Sequence, residues 1–225
     1  AARQPGTQQH SRRGSNLVYL GFNLEDETTR RLQVRRAIAR AIDREAILRF
    51  VLGGGGMTAE ALFPPTHWAG LPHLQGYAYD PDQARRLLAE VGYTAERPLR
   101  IEYKTSSDPL RIRIATIIQA QLAAVGIEAR IRSFDWGTFY GDIRAGRFQM
   151  YGLSWVGVKT PDIFRYAFHS DSVPPNGANR GRFSDPAVDR LIEAAEAELS
   201  LEPRMPLYQQ LQERLLAQLP AIPLW

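Results

Sequence analysis

The sequence has no cysteine and only two lysines, Lys104 and Lys159, among its 225 residues. The absence of cysteine excludes disulfides, thiolate metal sites and a cysteine nucleophile. No stretch approaches the roughly 18 consecutive apolar residues that a membrane-spanning helix requires. The first residues, AARQPGTQQHSRRG, are polar and do not have the pattern of a signal peptide. The sequence is therefore compatible both with a mature protein and with a fragment.

Arginine supplies almost all of the positive charge, and the net charge is +4. A basic balance can indicate a nucleic-acid partner. Here the arginines alternate with Glu and Asp along predicted helices, and no Arg-rich stripe carries the interleaved aromatic residues of a stacking groove. This distribution favours a solvated surface without nucleic acid, while an Arg-rich nucleic-acid-binding domain stays open as an alternative of a different class.

Alternating strand-like and helix-like segments predict an α/β fold. Hydrophobic residues make up 44% of the chain, which is enough for a substantial core. Between residues 99 and 156 the pattern gives strand, helix, strand, helix and strand, as expected for helices packed on a sheet. Before this unit, we predict a strand over 16–24 and one long amphipathic helix from Arg31 to Val51. Residues 1–14 lack an apolar period and are expected to be flexible.

No group of residues in the sequence forms a convincing catalytic or metal site. Gly53–Gly56 is not followed by the Lys and Ser or Thr of a phosphate-binding loop. Ser154 lies in GLSWVG, where the second glycine comes one residue too late for a nucleophile elbow. The candidate metal ligands are His67 and His73, and they lack a carboxylate cluster. We therefore expect no catalytic residue, metal or cofactor, with a hydrolase kept as a hypothesis.

The stretch 148–164, FQMYGLSWVGVKTPDIF, is the most informative part of the chain. It begins as an aromatic-rich strand and must turn at Gly157 and Pro161. Trp155 lies at this turn, and strand ends followed by loops are where α/β proteins place ligand sites. A tryptophan here can either stack on a ligand or fill the core, and the sequence leaves both interpretations open.

The order of motifs resembles the second lobe of the family 5 extracellular solute-binding proteins, the peptide- and nickel-type binding proteins of ABC importers. The resemblance covers residues 15–225 and rests on YLGFNLED, VRRAIARAIDREAIL, GGGMTAEALFPP, YDPDQARRLLAEVGY, IATIIQAQLAAVGIEARI, GRFQMYGLSW, PDIF and FSDPAVDRLIEAA. It implies a mixed sheet with flanking helices, forming a single α/β lobe of a type II periplasmic-binding-protein fold. It also implies that a second lobe is missing from this chain.

The resemblance also suggests the residues of a ligand site. Trp136 and Trp155 match aromatic positions of the family cleft. The family's peptide binders carry an Asp three residues after this second Trp to hold the ligand's amino terminus, and Val158 occupies that position here. Further candidates follow two strands: Gly157, Lys159 and Asp162 after Trp155, and Ser106, Ser107 and Arg111, which are expected to reach a ligand carboxylate.

By this resemblance, the chain is expected to belong to an importer's substrate-binding component of the oligopeptide or dipeptide type. Its partners would be a small solute, most simply a peptide, and the permease subunits, and the protein would be a monomer. It would work in the periplasm or outside the cell, with a lipid anchor as one option. A non-peptide receptor and a sensor of the same fold are the alternatives, since Val158 and Lys159 suggest a neutral or anionic ligand group.

Overall fold

A computed structural model describes residues 14–225 of the chain. The expectation of a flexible segment over 1–14 therefore falls almost entirely outside the described residues. The elements, in chain order, are β1 (Leu17–Phe22), α1 (Leu32–Ala41), α2 (Arg44–Phe50), α3 (Pro81–Glu90), β2 (Leu99–Ser106), α4 (Pro109–Ala123), β3 (Ile127–Phe134), α5 (Trp136–Ala145), β4 (Met150–Trp155), α6 (Ile163–Phe168), α7 (Pro186–Ala197), α8 (Leu201–Gln218) and β5 (Ala221–Pro223).

The strands form one mixed five-stranded sheet in the order β3-β2-β4-β1-β5. β2 pairs in parallel with both β3 and β4, whereas β1 is antiparallel to β4 and β5. The parallel strands are connected through α4 and α5, as the alternating pattern predicted. The predicted mixed sheet with flanking helices is confirmed.

The two faces of the sheet have different coverings. Leu20 and Phe22 of β1 point to the larger core, which includes residues of α1, α3 and α4. Tyr19, which precedes Leu20 in the alternation, packs on the other face with Phe139 and Ile143 of α5. A separate apolar cluster joins α6, α7 and α8. Helix α5 covers part of the second face of the sheet, and the apolar cluster of α6, α7 and α8, here called the α6–α8 cluster, lies beside that face.

Helix starts follow the sequence signals closely. Asp80, Asp108, Asp135 and Asp185 each cap a helix, and the side chain of each accepts a hydrogen bond from a backbone N–H of the first turn. These caps satisfy donors that have no partner inside the helix. Gly146 ends α5 in the left-handed conformation, with φ 76°, which glycine adopts without steric cost.

The single helix expected from Arg31 to Val51 is wrong. The chain leaves the helical conformation at Ile42, and α2 starts anew at Arg44. The reason is a local cap: the Asp43 side chain accepts a 2.8 Å hydrogen bond from the Ala46 backbone N–H. An aspartate that bonds to the backbone competes with helix continuation, although the apolar spacing runs through it.

Candidate functional site

The ends of four strands meet at one edge of the sheet. Because β2, β3 and β4 are parallel, their carboxyl ends lie together, and Ser106 is paired with Phe134 in the last register position. The antiparallel β1 begins at the same edge, where Leu17 is paired with Trp155. We call this the site edge. It is the position at which parallel sheets commonly bind ligands.

Trp155, the last residue of β4, is partly buried and surrounded by aromatic rings. Its ring stacks on Tyr19 with centroids 5.6 Å apart and an interplanar angle of 12°. Tyr166 of α6 meets it edge-on at 6.2 Å. The Arg180 Cζ lies 4.8 Å from the Trp155 ring centroid. The tryptophan is thus fixed by its neighbours and remains partly accessible at the site edge.

Trp136 begins α5 and is 57% exposed. Its ring stacks on Tyr140, one turn along the helix, with centroids 5.4 Å apart and an angle of 9°. The Tyr140 ring centroid in turn lies 5.5 Å from the Arg180 Cζ. The two tryptophans predicted for the site are therefore linked through Tyr140 and Arg180.

Arg180 is the centre of this arrangement. It is 5% exposed, and it donates hydrogen bonds to the hydroxyls of Tyr19 at 3.1 Å and Tyr140 at 3.2 Å. Burial opposes its charge, and the hydroxyl oxygens of Tyr19 and Tyr140 support the charged form as hydrogen-bond acceptors. The guanidinium is therefore a permanent positive charge inside an apolar environment.

Two of the tyrosines near Arg180, Tyr19 and Tyr151, stay neutral. Burial raises the pKa of Tyr19 well above its usual range, and burial likewise raises the pKa of Tyr151. Their hydroxyl oxygens are 3.4 Å apart. A neutral phenol that accepts from Arg180 still has its own proton to donate. The group offers several donors and no counter-charge.

A crevice opens beside these side chains, between the second face of the sheet and the α6–α8 cluster. The lining of this Arg180 crevice includes Tyr19, Tyr151, Trp155, Arg180 and Phe164 of α6. Its cavity volume is about 60 Å³. Complete ligand pockets typically measure about 300–1,000 Å³. The crevice is therefore large enough for one chemical group but not for a whole solute.

The candidates that follow β2 lie at the site edge but on a different side of β4. Arg111 in α4 donates a 2.8 Å hydrogen bond to the hydroxyl oxygen of Ser154, the neighbour of Trp155. Successive strand residues point to opposite faces, so Arg111 and Arg180 approach β4 from opposite sides. Ser106 is buried at the end of β2, and Ser107 is exposed. The structure thus separates the predicted residues into two groups.

The loop after Trp155 is tied to the start of β1. Gly157 adopts φ 71°, and its N–H donates a 3.1 Å hydrogen bond to the Asn16 side chain. The side chain of Val158 packs against the α6–α8 cluster. Lys159 and Asp162 are exposed, and the Asp162 carboxylate accepts a hydrogen bond from the Thr160 hydroxyl at 3.1 Å. These residues form an open surface beside Trp155.

The polar groups considered for catalysis have other partners. Ser154 bonds to Arg111. His169 is buried, and its ring nitrogens contact Glu193 and the backbone N–H of Asp171. His67 stacks on Phe63 and contacts the Lys159 carbonyl.

Across residues 14–225, no group of three or more His, Asp or Glu side chains is arranged as a metal site. No helix in this range has both the length and the apolarity to cross a bilayer.

Sequence reasoning missed the tyrosines and Arg180. Tyr19, Tyr140 and Tyr166 come from three separate elements and fit the strand and helix patterns without any sign of a shared role. Arg180 lies in a segment, SDSVPPNGANRGRF, that looks like a polar loop. No local sequence signal marks Arg180. In the structure, the side chain of the preceding Asn179 is buried and donates to the carbonyls of His169 and Phe183. Those bonds turn the loop inward.

Comparison with known proteins gives the family. Residues 1–175 match the model of the bacterial extracellular solute-binding proteins, family 5. The chain is 31% identical to a dipeptide-binding protein of Escherichia coli over 93% of its own length and 40% of the relative, and 31% identical to heme-binding protein A of Haemophilus influenzae over 97% and 41%. The chain belongs to the family 5 extracellular solute-binding proteins.

A solved structure supports the same conclusion. NikZ from Campylobacter jejuni, in complex with Ni(L-His), superposes with a TM-score of 0.86 at 26% identity, covering 94% of this chain and 45% of that protein. The family is made up of proteins named for binding rather than for catalysis. The chain spans about 40% of the length of these two curated relatives. The relatives are named for a dipeptide, heme and a nickel–histidine complex, so the family does not by itself define the solute.

Proposed function

We propose that this chain is a ligand-binding lobe of the substrate-binding component of an ABC importer. One observation carries the proposal: Trp136, Tyr140, Arg180 and Trp155 form a continuous stack at the carboxyl edge of the sheet in a family of solute-binding proteins. Flat aromatic walls with a buried charge are what a solute receptor needs for recognition. The lobe has no catalytic task in this proposal.

The size of the site argues that a second lobe completes it. The Arg180 crevice measures about 60 Å³, far below a solute pocket. Trp136 is 57% exposed and Lys159 lies on the open surface, so both are available to a partner surface. A solute between two lobes would shift an equilibrium from open to closed, and the permease would recognise the closed form.

The proposed solute class is an oligopeptide or dipeptide. Among the site candidates, the exposed Ser107 presents a hydroxyl suited to peptide amides, whereas Ser106 is buried and the Gly157 N–H is bonded to Asn16. The amino-terminal anchor implied by the resemblance is absent, because Val158 is apolar and faces the α6–α8 cluster. Asp162 is the exposed carboxylate near this loop and is the alternative partner for a ligand amine.

The rest of the proposal concerns the intact protein. It would act in the periplasm or outside the cell, with or without a lipid anchor, as a monomer whose partners are a peptide-like solute and the permease subunits. No nucleic acid takes part. A sensor of the same fold that serves signalling is the second candidate, favoured only by the loss of the amine anchor at Val158.

The test uses the full-length parent protein, purified natively. Small molecules released on denaturation are identified by mass spectrometry. Each identified molecule is then titrated into the ligand-free protein in a calorimeter to measure its affinity. Short peptides that bind at micromolar or lower concentration support the proposal. Release of a non-peptide solute would assign the protein to another substrate class. If no small molecule is released and no ligand pool induces closure of the lobes, a role in protein interaction is favoured. The isolated lobe should bind more weakly than about 1 mM, since about half the contacts of a ~1 μM site, worth about 8 kcal/mol, are missing.

A further inference from the structure

Arg180 carries a buried charge without a buried counter-charge. Within residues 14–225, no Asp or Glu oxygen lies within 4.0 Å of its guanidinium, and its side-chain hydrogen bonds go to Tyr19 and Tyr140. Glu60 also lines the crevice, but its carboxylate is bound to Arg44 at 3.0 Å. Burying a charge is costly unless it is paired, so an unpaired guanidinium needs an explanation.

Arg35 shows how this chain satisfies a structural arginine. It is equally buried, and its guanidinium donates to the carbonyls of Leu219, Thr29 and Gln218 at 2.8, 2.7 and 2.7 Å. All three guanidinium nitrogens are used there. Burial lowers the pKa of Arg35 to about 10. Arg180, by contrast, makes two hydrogen bonds to neutral hydroxyls and has no carbonyl partner among the described residues, so part of its five-donor fork is free.

The surroundings of Arg180 fix where a partner can bind. The rings of Trp155 and Tyr140 lie against the guanidinium, with Cζ 4.8 and 5.5 Å from their centroids. Rings packed on a guanidinium leave its edge for hydrogen bonds, and that edge matches the two oxygens of a carboxylate. The hydroxyls of Tyr19 and Tyr151 bond to each other at 3.4 Å, so this pair adds one further free donor. The crevice of about 60 Å³ holds a few waters or one such group, since one water needs about 10–15 Å³.

We propose that Arg180 is the anchor for a carboxylate of the solute, which enters the Arg180 crevice and is bound by the guanidinium and the Tyr19 hydroxyl. The substrate class is then a solute with a free carboxylate, for a peptide its carboxyl terminus. The proposal rests on the proposed function as a solute receptor. It places recognition at the acidic end of the solute, which accords with the apolar residue at position 158.

The experiment compares peptides that differ only at this end. Pools of di- and tripeptides with free carboxyl termini, and the same pools with carboxamide termini, are titrated into the full-length protein in calorimetry. Removal of a charge-assisted hydrogen-bonded pair should weaken binding about 10- to 100-fold. The variant Arg180→Gln should bind the acid pool as weakly as the amide pool. Arg180→Lys keeps the positive charge but loses the paired N–H donors of the guanidinium. Its affinity for the acid pool should lie between those of the parent protein and Arg180→Gln.

Controls separate the anchor from a folding role. Arg190→Gln removes the same charge from an exposed position of α7 and should leave both pools unchanged. The acid–amide comparison on the unaltered protein needs no variant, so it decides the question even if Arg180→Gln fails to fold. Equal affinity of the acid and amide pools would overturn the anchor while leaving the solute receptor intact. Failure of every pool, with no small molecule released from the protein, would reject the receptor and the anchor together.

Discussion

The backbone N–H of Val158 donates a 2.9 Å hydrogen bond to the carbonyl oxygen of Ser15. A second bond joins the Gly157 N–H to the Asn16 side chain at 3.1 Å. The residues that lead into β1 therefore hold the loop that follows Trp155. We therefore expect a displacement of Ser15 or Asn16 to move this loop as well.

Asn16→Ala tests this coupling. The variant removes one acceptor and keeps the Ser15 bond, so we expect a loss of about 0.5–1.5 kcal/mol of local stability. Amide hydrogen exchange at Gly157 should become about 2- to 10-fold faster, while exchange in β2 stays the same. Asn176→Ala, at an exposed position, is the matched control and should change neither. Unchanged exchange at Gly157 in the Asn16 variant would show that the Ser15 bond suffices to hold the loop.

Trp136→Ala separates binding from folding. The side chain is 57% exposed and its main contact is the stack on Tyr140, so the variant should lose about 1 kcal/mol or less of stability. In the full-length protein, solute affinity should fall about 10-fold or more if the ring forms a wall of the site. Calorimetry and thermal unfolding measure the two effects. Phe50→Ala, which removes an aromatic side chain that is 71% exposed on α2, is the control for both. If Trp136→Ala binds the solute as tightly as the parent protein, Trp136 is not part of the ligand site.

Val158→Asp examines the position where related peptide binders are expected to carry an aspartate. Because Val158 packs on the α6–α8 cluster, the new carboxylate would lose water without gaining a partner. We expect the variant to be about 1–3 kcal/mol less stable than the parent, more than Val158→Ala, and not to bind peptides more tightly. Urea unfolding and calorimetry measure these changes. A gain in affinity for peptides with a free amine would mean that the loop rearranges when the solute binds.

The fold was predictable where the signals are local. Asp80 before Pro81 and Asp185 before Pro186 give capped helix starts, and the structure confirms both bonds. Apolar alternation predicted β3 to the residue. The break between α1 and α2 was missed because the apolar period continues across Asp43, and a period does not report whether a side chain caps the backbone.

The candidate site was predictable only in part. Trp136 and Trp155 were predicted as site residues from the family resemblance, and Trp155 also because it ends a strand. Arg180 and Tyr19 are 161 residues apart in the chain, and their contact depends on how the loop after α6 returns to the sheet. Non-local pairs of this kind have no sequence period. Arg111 was predicted to reach a ligand carboxylate, and its hydrogen bond to Ser154 of β4 was not anticipated.

The last prediction concerns acid stability and the ion pair between the buried Lys104 and the partly buried Asp142. The Asp142 carboxylate accepts hydrogen bonds from Lys104 at 2.9 Å and from Arg147 at 2.7 Å. The hydrogen bond from Lys104 is the main cause of a pKa of Asp142 below its usual value, against the opposing effect of burial. A carboxylate with a lowered folded-state pKa stabilises the fold fully above its unfolded-state pKa of about 3.9, and this contribution is lost as the pH falls through the lower folded-state value.

Asp142→Asn should therefore destabilise the protein by about 2–3 kcal/mol at pH 7, because it leaves the Lys104 ammonium, 9% exposed, without its nearest carboxylate. The difference in stability from the parent protein should shrink as the pH falls below about 4, because Asp142 then takes up a proton in the unfolded state while the folded state still keeps it ionised. Urea unfolding between about pH 7 and pH 3 measures both. Asp82→Asn breaks the exposed pair with Arg85 and should cost about 0.5 kcal/mol or less at any of these pH values. The difference in free energy of unfolding between the variant and the parent is then compared at about pH 3 and about pH 7. An equal difference at both pH values would show that the variant acts through packing and not through the charge of Asp142.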